Sequence, residues 1–219
     1  MKTLILVRHA EAEHLTLGLK GGWTDTHLTE RGKLQAISVA KRISEDLNGY
    51  DVDIYSSDLI RAIDTANSIG SRLGSKVTQF EGIREIHVGK ATGMTNKEAE
   101  EIYTPPTEPI LDWRAYPEGE TWREFHKRVT SCMDEIANDS GDLAIVVSHS
   151  GTIVNIVDWW LKLDMDSVAL VTFRTHPAAI TVLGNSDLGE RTVERLNDIS
   201  HLCEDELAGE YSRLIKPVY

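Results

Sequence analysis

The chain has 219 residues, 23 Lys and Arg, 35 Asp and Glu, and a formal net charge of −12. Its hydrophobic content of 41% and charged content of 26% are those of an ordinary folded domain, which excludes disordered and fibrous proteins. A nucleic-acid surface requires an excess of basic residues, so the charge also excludes nucleic acid as a partner. A few Arg in a cleft can still bind a small anion.

Five short apolar runs predict strands, at 3–7, 52–55, 76–80, 143–147 and 179–183. Apolar residues at helical spacing predict helices over 34–47, 59–73, 122–136 and 153–161. Because the strands lack polar alternation and alternate with helices, the sequence predicts an α/β fold. We expect a three-layer sandwich with a mostly parallel central sheet flanked by helices on both faces.

Helix-start residues support these boundaries: Thr29 before the first helix, Ser57 and Asp58 before the second, and Ser150 at the last. Residues 89–121 break the alternation, with four prolines around one short helical candidate at 96–103. We expect a single domain over 1–219, with 89–121 as an insertion over the site.

The compartment is predicted from two further features. Cys132 and Cys203 have neither the spacing of a disulfide framework nor that of a zinc site. The apolar run before Arg8 is too short for a signal sequence or a membrane span. We therefore expect a cytoplasmic protein that does not associate with membranes.

Ionisable side chains follow four of the predicted strands. Arg8 and His9 follow the first strand, Arg61 comes soon after the second, Glu85 after the third, and His149 after the fourth. In open α/β sheets, ligands bind beyond the carboxyl ends of the strands. We therefore expect these five side chains to meet at one edge of the sheet.

The chemistry of these five residues fits phosphoryl transfer. Arg8 and Arg61 can bind a phosphate by charge-assisted hydrogen bonds, and the helix start at Ser150 can add backbone N–H donors. This is a phosphate pocket that needs neither a metal nor another cofactor. A neutral His9 could then attack phosphorus and form a phosphohistidine.

The remaining two residues complete the chemistry. Glu85 suits the transfer of a proton to the leaving oxygen and the later activation of water. His149, when protonated beside the anion, would stabilise charge on the phosphoryl oxygens. The alternative for Glu85 is a loop carboxylate that pairs with Arg84.

At these residues the sequence resembles the histidine phosphatase superfamily, in its phosphoglycerate-mutase-like branch. The resemblance is carried by several motifs in order: Leu6-Val7-Arg8-His9-Ala10-Glu11, Gly22-Trp23-Thr24-Asp25, Leu28-Thr29-Glu30-Arg31-Gly32 with Gln35-Ala36, Ser56-Ser57-Asp58-Leu59-Ile60-Arg61-Ala62, Arg84-Glu85, Pro117-Glu118-Gly119-Glu120-Thr121, and Val147-Ser148-His149-Ser150-Gly151.

The resemblance implies a role for each site residue. His9 would be the phosphorylated nucleophile, Arg8, Arg61 and His149 the phosphate pocket, and Glu85 the proton donor. The sequence departs from the family pattern at two positions, where Ala10 replaces a Gly and Leu15 replaces a phosphate-contacting Asn.

Three functions stay open. A phosphatase of small phosphorylated metabolites is favoured, because 89–121 is compact and carries only three basic residues. A phosphoglycerate mutase is the alternative, since Gly22-Trp23-Thr24-Asp25 is mutase-like. The third is a module that binds a phosphorylated partner without turnover, against which the intact His9 argues.

Several residues have two interpretations. Gly22, Trp23 and Thr24 could line the mouth of the site and bind substrate, or Trp23 could simply pin the loop. We expect His14, like most of the other histidines, to be structural. Trp159 and Trp160 are expected in the core or in a contact between protomers, so that a homodimer is an alternative to a monomer.

Overall fold

The computed structural model describes residues 1–202 and residue 207, so Cys203 lies outside the described residues. The strands are β1 (Thr3–Arg8), β2 (Asp53–Ser57), β3 (Val77–Phe80), β4 (Leu143–Ser148), β5 (Ile180–Asn185) and β6 (Arg191–Asp198). The helices are α1 (Glu13–Thr16), α2 (Glu30–Asp46), α3 (Ile60–Leu73), α4 (Asn96–Glu100), α5 (Trp122–Asp139), α6 (Ser150–Leu161) and α7 (Met165–Val168). Within the described residues, no helix has the length and apolar character needed to cross a membrane.

The strands form one sheet in the order β3-β2-β4-β1-β5-β6. The pairs β3-β2, β2-β4 and β4-β1 are parallel, whereas β5 and β6 are added antiparallel. The predicted α/β fold with a mostly parallel sheet is confirmed. Strand β6 is not predicted from the sequence, because this edge strand is polar and largely exposed and lacks the apolar run that marks the other strands.

Helices cover both faces of the sheet. Alternate side chains of β1 enter opposite cores, which explains its continuous apolar run. One core joins β1, β2 and β4 to α2 and α3, through Ile5, Val39, Ile54, Ala66, Ile69 and Val147. The other joins the sheet to α5 and α6, through Leu4, Leu6, Phe125, Met133, Val146, Ile156 and Trp160.

The helix starts are partly as predicted. Thr29 caps α2 by accepting a hydrogen bond from the Gly32 N–H. The predicted start of α3 at Ser57 and Asp58 is wrong, because Ser57 still belongs to β2 and the N-cap is Leu59. The short helix expected at 96–103 ends at Glu100.

Segment 89–121 packs against the loop 18–24, which follows α1. The Lys20 N–H donates to the Met94 carbonyl oxygen at 2.9 Å, and the Asn96 N–H donates to Gly18 at 2.8 Å. The Gly93 N–H also donates to the Thr24 hydroxyl at 2.8 Å. Backbone hydrogen bonds thus tie the two segments together.

The start of α2 fixes the chain that follows β1. The Thr29 N–H donates to the Glu11 carbonyl oxygen at 3.0 Å, and the Glu11 N–H donates to Gln35 Oε1 at 2.9 Å. Arg31 forms an ion pair with the Glu11 carboxylate. Gly32 allows this close approach, since a Cβ there would lie 1.9 Å from the Glu11 carbonyl oxygen.

We predict that Gly32→Ala destabilises the protein by about 1–3 kcal/mol, because α2 must move away from the backbone of Glu11. Gly141→Ala is the matched control, since a Cβ there would meet only Asp53 Oδ2, at 3.5 Å. It should change stability by less than about 0.5 kcal/mol. Urea unfolding of both variants measures the difference, and equal stabilities would contradict the packing argument.

Candidate active site

The parallel pairing of β1 with β4 places the two site histidines side by side. Arg8 is in register with Ser148, and the His9 N–H donates to the Ser148 carbonyl oxygen at 2.8 Å. The His9 and His149 ring centroids are 5.2 Å apart, and both side chains are buried. The sheet edge therefore brings these two predicted residues together.

His9 is neutral and has a defined tautomer. Its Nδ1 lies 2.7 Å from the Ala10 carbonyl oxygen, which can only accept, so Nδ1 carries the proton. Burial, and then the charge of Arg61, hold the pKa of His9 well below its ordinary value of 6.5. A neutral ring protonated at Nδ1 has its lone pair on Nε2.

Both arginines are anchored by backbone carbonyl oxygens. Arg61, on the first turn of α3, is 1% exposed and donates from Nη1 to Thr24 at 2.7 Å and from Nη2 to Gly22 at 2.8 Å. Burial lowers the pKa of its guanidinium to about 10, so it stays charged at neutral pH. Arg8 donates from Nη1 to the Thr175 carbonyl oxygen at 2.6 Å.

His149 is the N-cap residue of α6, so the predicted helix start at Ser150 is correct. Its Nε2 lies 2.8 Å from the Ser57 hydroxyl. Burial, followed by the charges of Arg61 and Arg8, holds the pKa of His149 well below 6.5. The ring is therefore neutral beside these arginine charges.

Glu85 reaches the same edge on the loop after β3. Its Oε2 accepts a hydrogen bond from the Gly151 N–H at 3.0 Å, and its Oε1 accepts from the Ile86 N–H at 2.9 Å. The alternative pairing with Arg84 is absent, because Arg84 donates from Nε to Asp58 Oδ1 at 2.6 Å. The Glu85 carboxylate thus lies at the start of α6, where it contacts Gly151, two residues after His149 in the chain.

The residues suggested for the mouth of the site have distinct surroundings. Gly22 and Thr24 direct their carbonyl oxygens to Arg61. The Trp23 indole N–H donates to the Glu85 carbonyl oxygen at 2.7 Å, which is the pinning role considered for it. The Ser150 hydroxyl accepts a hydrogen bond from the Thr175 hydroxyl at 3.0 Å.

His14, for which the sequence predicts a structural role, lies next to His9 at the same edge of the sheet. It lies in α1 with its ring centroid 5.7 Å from that of His9, and its Nδ1 is 2.9 Å from the Thr26 hydroxyl. Burial, and then the charges of Arg61 and Arg8, lower its pKa to about 3. The sequence feature that could have revealed this proximity is a helical turn shortly after the first strand, which keeps His14 close to His9.

Comparison with known proteins identifies the family. The model of the histidine phosphatase superfamily (branch 1) matches residues 4–199. The chain belongs to the histidine phosphatase superfamily. Phosphoserine phosphatase 1 of Hydrogenobacter thermophilus is 31% identical over 211 residues, which cover 93% of this chain and 96% of that protein.

Two further relatives of this histidine phosphatase span most of the chain. Phosphoglycerate mutase-like protein 4 of Arabidopsis thaliana is 29% identical over 217 residues, covering 92% of this chain and 87% of its own. The crystal structure of a phosphoserine phosphatase from Entamoeba histolytica in complex with 3-phosphoglyceric acid has a TM-score of 0.72 and 27% identity. That comparison covers 92% of this chain and 99% of the crystallised one.

We predict that the neutral His14 makes the folded state less stable in acid. Between about pH 3 and pH 6.5 the unfolded chain binds a proton at His14 that the folded chain does not bind. The free energy of unfolding therefore falls as the pH falls, by about 1.4 kcal/mol per unit below pH 6.5.

Urea unfolding at pH 7.5 and pH 5.5 measures this effect. From the higher to the lower pH, the wild type should lose about 1.4 kcal/mol more than His14→Gln. His14→Phe also lacks a titrating ring and should show the same reduced pH dependence, whatever its stability at pH 7.5. The same pH dependence in all three proteins would refute the prediction.

Proposed function

We propose that the chain is a metal-independent phosphatase that transfers the phosphoryl group of a small metabolite to His9 and then to water. One observation carries the proposal: a buried, neutral His9 donates from Nδ1 to Ala10 and lies beside Arg8 and Arg61. Its Nε2 lone pair is the nucleophile that a phosphohistidine requires. The arginines supply the charge that a phosphate needs.

The phosphoryl group would be held by groups that are already oriented. The Gly22 and Thr24 carbonyl oxygens fix two nitrogens of Arg61, and Thr175 fixes Arg8. The first backbone N–H groups of α6, at Ser150, would add donors. Charge that develops on the phosphoryl oxygens would then be stabilised without further rearrangement.

Glu85 would move the proton in both steps. In the first, the bond between phosphorus and the ester oxygen breaks as the bond from His9 Nε2 forms, and the Glu85 carboxylic acid protonates the leaving oxygen. In the second, water attacks phosphorus and gives a proton to the Glu85 carboxylate. The bond between nitrogen and phosphorus breaks, and inorganic phosphate leaves.

The substrate class follows from the relatives and from segment 89–121. Relatives are named for phosphoserine, so phosphoserine is our first candidate among small soluble phosphate esters. Segment 89–121 would cover the site, since it is bonded to the loop that anchors Arg61. A single domain, a cytoplasmic location and a homodimer stay predictions.

We predict that His9→Ala lowers kcat for phosphoserine on the order of 10⁴-fold or more, because no other group replaces the nucleophile. Activity of the wild type should persist in excess chelator. His27→Ala is the control, since the His27 side chain is exposed and lies beside Asp64 on α3. Unchanged turnover in His9→Ala, or strict dependence on a divalent metal, would contradict the proposal.

Trapping of the phosphohistidine intermediate distinguishes a catalyst from a module that only binds a phosphorylated partner. Acid-labile, base-stable phosphoprotein should form when the wild type is mixed with labelled substrate and denatured in alkali, and it should be absent in His9→Ala. A module that binds a phosphorylated partner without turnover would bind the substrate tightly and release no phosphate.

Phosphoglycerate mutase is the second candidate, and Trp23 no longer favours it. The Trp23 indole holds the loop of Glu85, a task that hydrolysis and isomerisation share. We predict that 3-phosphoglycerate with 2,3-bisphosphoglycerate as primer yields inorganic phosphate faster than 2-phosphoglycerate. Coupled assays of both products measure the ratio, and faster isomerisation would establish the mutase instead.

A further inference from the structure

Arg128, on α5, binds the loop that carries Glu85 through both of its terminal nitrogens. Nη1 donates to the carbonyl oxygens of Gly82 at 3.0 Å and Arg84 at 3.1 Å, and Nη2 donates to that of Glu85 at 3.1 Å. The side chain is mostly buried. A single arginine thus binds three carbonyl oxygens within four consecutive residues of the loop.

The other bonds of Arg128 join it to Glu120. Nε donates to Oε1 at 2.7 Å, and Nη2 donates to Oε2 at 2.6 Å, so the pair is bidentate. With the three loop carbonyls, this gives five hydrogen bonds, as many as a guanidinium has N–H groups. The fixed fork geometry of an arginine is what such a network requires, and a lysine cannot reproduce it.

Glu120 extends the network beyond Glu85. Its Oε2 also accepts from the His87 N–H at 2.8 Å, and its own N–H donates to the His87 carbonyl oxygen at 2.8 Å. The loop is therefore held on both sides of Glu85, at residues 82–85 by Arg128 and at His87 by Glu120.

Trp23 adds a third support on the same backbone atom. Its indole N–H and Arg128 Nη2 donate to the one Glu85 carbonyl oxygen. Its ring lies against the guanidinium of Arg84, 4.6 Å from ring centroid to Cζ, and 5.7 Å from that of Arg128. Helix α5 and the loop 18–24 thus both bind the backbone of Glu85, the residue proposed to transfer the proton.

The Glu85 carboxylate itself has little room to move. A Cβ at Gly151 would lie 2.5 Å from Glu85 Oε1 and 3.1 Å from Phe125 Cε1. The carboxylate fits against α6 only while its backbone holds its position. Misplacement by about 1 Å of a group that transfers a proton is sufficient to cost a large part of its catalytic effect.

We infer that Arg128 is a positioning residue, which holds Glu85 where it can protonate the leaving oxygen, with Glu120 and Trp23 as its partners. The inference rests on the proposed function of Glu85. It adds that the catalytic contribution of Arg128 passes through Glu85 and not through the phosphate pocket of Arg8, Arg61 and His149.

Leaving groups of different basicity test this inference. Nitrophenolate leaves phosphorus without a proton, whereas the serine alkoxide needs one. The rate of phosphohistidine formation in a single turnover reports the first step alone, and Arg128→Lys should lower it by about tenfold or more with phosphoserine and by less than about threefold with p-nitrophenyl phosphate. The Kd of inorganic phosphate should stay the same, because the phosphate pocket is intact.

Arg123→Lys is the matched control on the same helix. Arg123 forms a similar ion pair with Asp112, but on an exposed surface. It should leave both activities unchanged. Glu120→Gln, a second variant that retains a hydrogen-bond acceptor, should show the selective loss of Arg128→Lys in weaker form.

A double-mutant cycle decides whether Arg128 acts through Glu85. In the Glu85→Gln background, Arg128→Lys should have no further effect on phosphoserine hydrolysis. Equal losses with both substrates, or an additive loss in the Glu85→Gln background, would overturn the inference. If the wild type hydrolyses neither ester, the proposed function itself fails.

Hydrogen exchange provides a readout that does not need activity. The N–H groups of Ile86 and Gly151 donate to the Glu85 carboxylate. They should exchange at least about tenfold faster in Arg128→Lys than in Arg123→Lys, because the loop opens more often. Equal exchange in the two variants would show that Arg128 does not hold Glu85.

Discussion

The parallel pairing of β1 with β4 is the constraint on which the site depends. It ends with Arg8 opposite Ser148, and the hydrogen bond from the His9 N–H to Ser148 extends it by one residue. His9 and His149 therefore leave the sheet together. A change of register by one residue would turn one of them to the opposite face, since side chains alternate along a strand. Packing of both helical layers on these central strands secures the register.

Burial of several basic groups at this edge has an electrostatic cost. Arg61 is almost completely buried, and among the described residues no carboxylate is bonded to its guanidinium nitrogens, two of which donate to the Gly22 and Thr24 carbonyl oxygens. Three neighbouring histidines respond with a lowered pKa and stay neutral. The site is thus short of negative charge, which a bound phosphate would supply. The acidic surface of the chain has little effect there, because the local field is set by Arg8 and Arg61.

Strand ends could be read from the sequence because apolar runs and the residues after them are local signals. Arg8, His9 and His149 follow such runs directly, and the edge rule for α/β sheets brought them together. His14 was not predicted, since its approach to His9 depends on the path of α1 and the loop after it. β6 was missed because a polar edge strand has no apolar run. The role of Arg128 was not predicted either, since its hydrogen bonds to residues 82–85 join elements that are distant in sequence.

The site combines two kinds of support. The groups proposed to bind phosphate are fixed mainly by the sheet edge and by backbone carbonyl oxygens. Glu85 lies on a loop, and its position depends on donors from Arg128 and Trp23, which belong to other parts of the chain. Substitutions in α5 would therefore alter proton transfer while phosphate binding is kept, whereas segment 89–121 also bonds to the loop that anchors Arg61. This separation allows the leaving group to change while the attack on phosphorus stays the same.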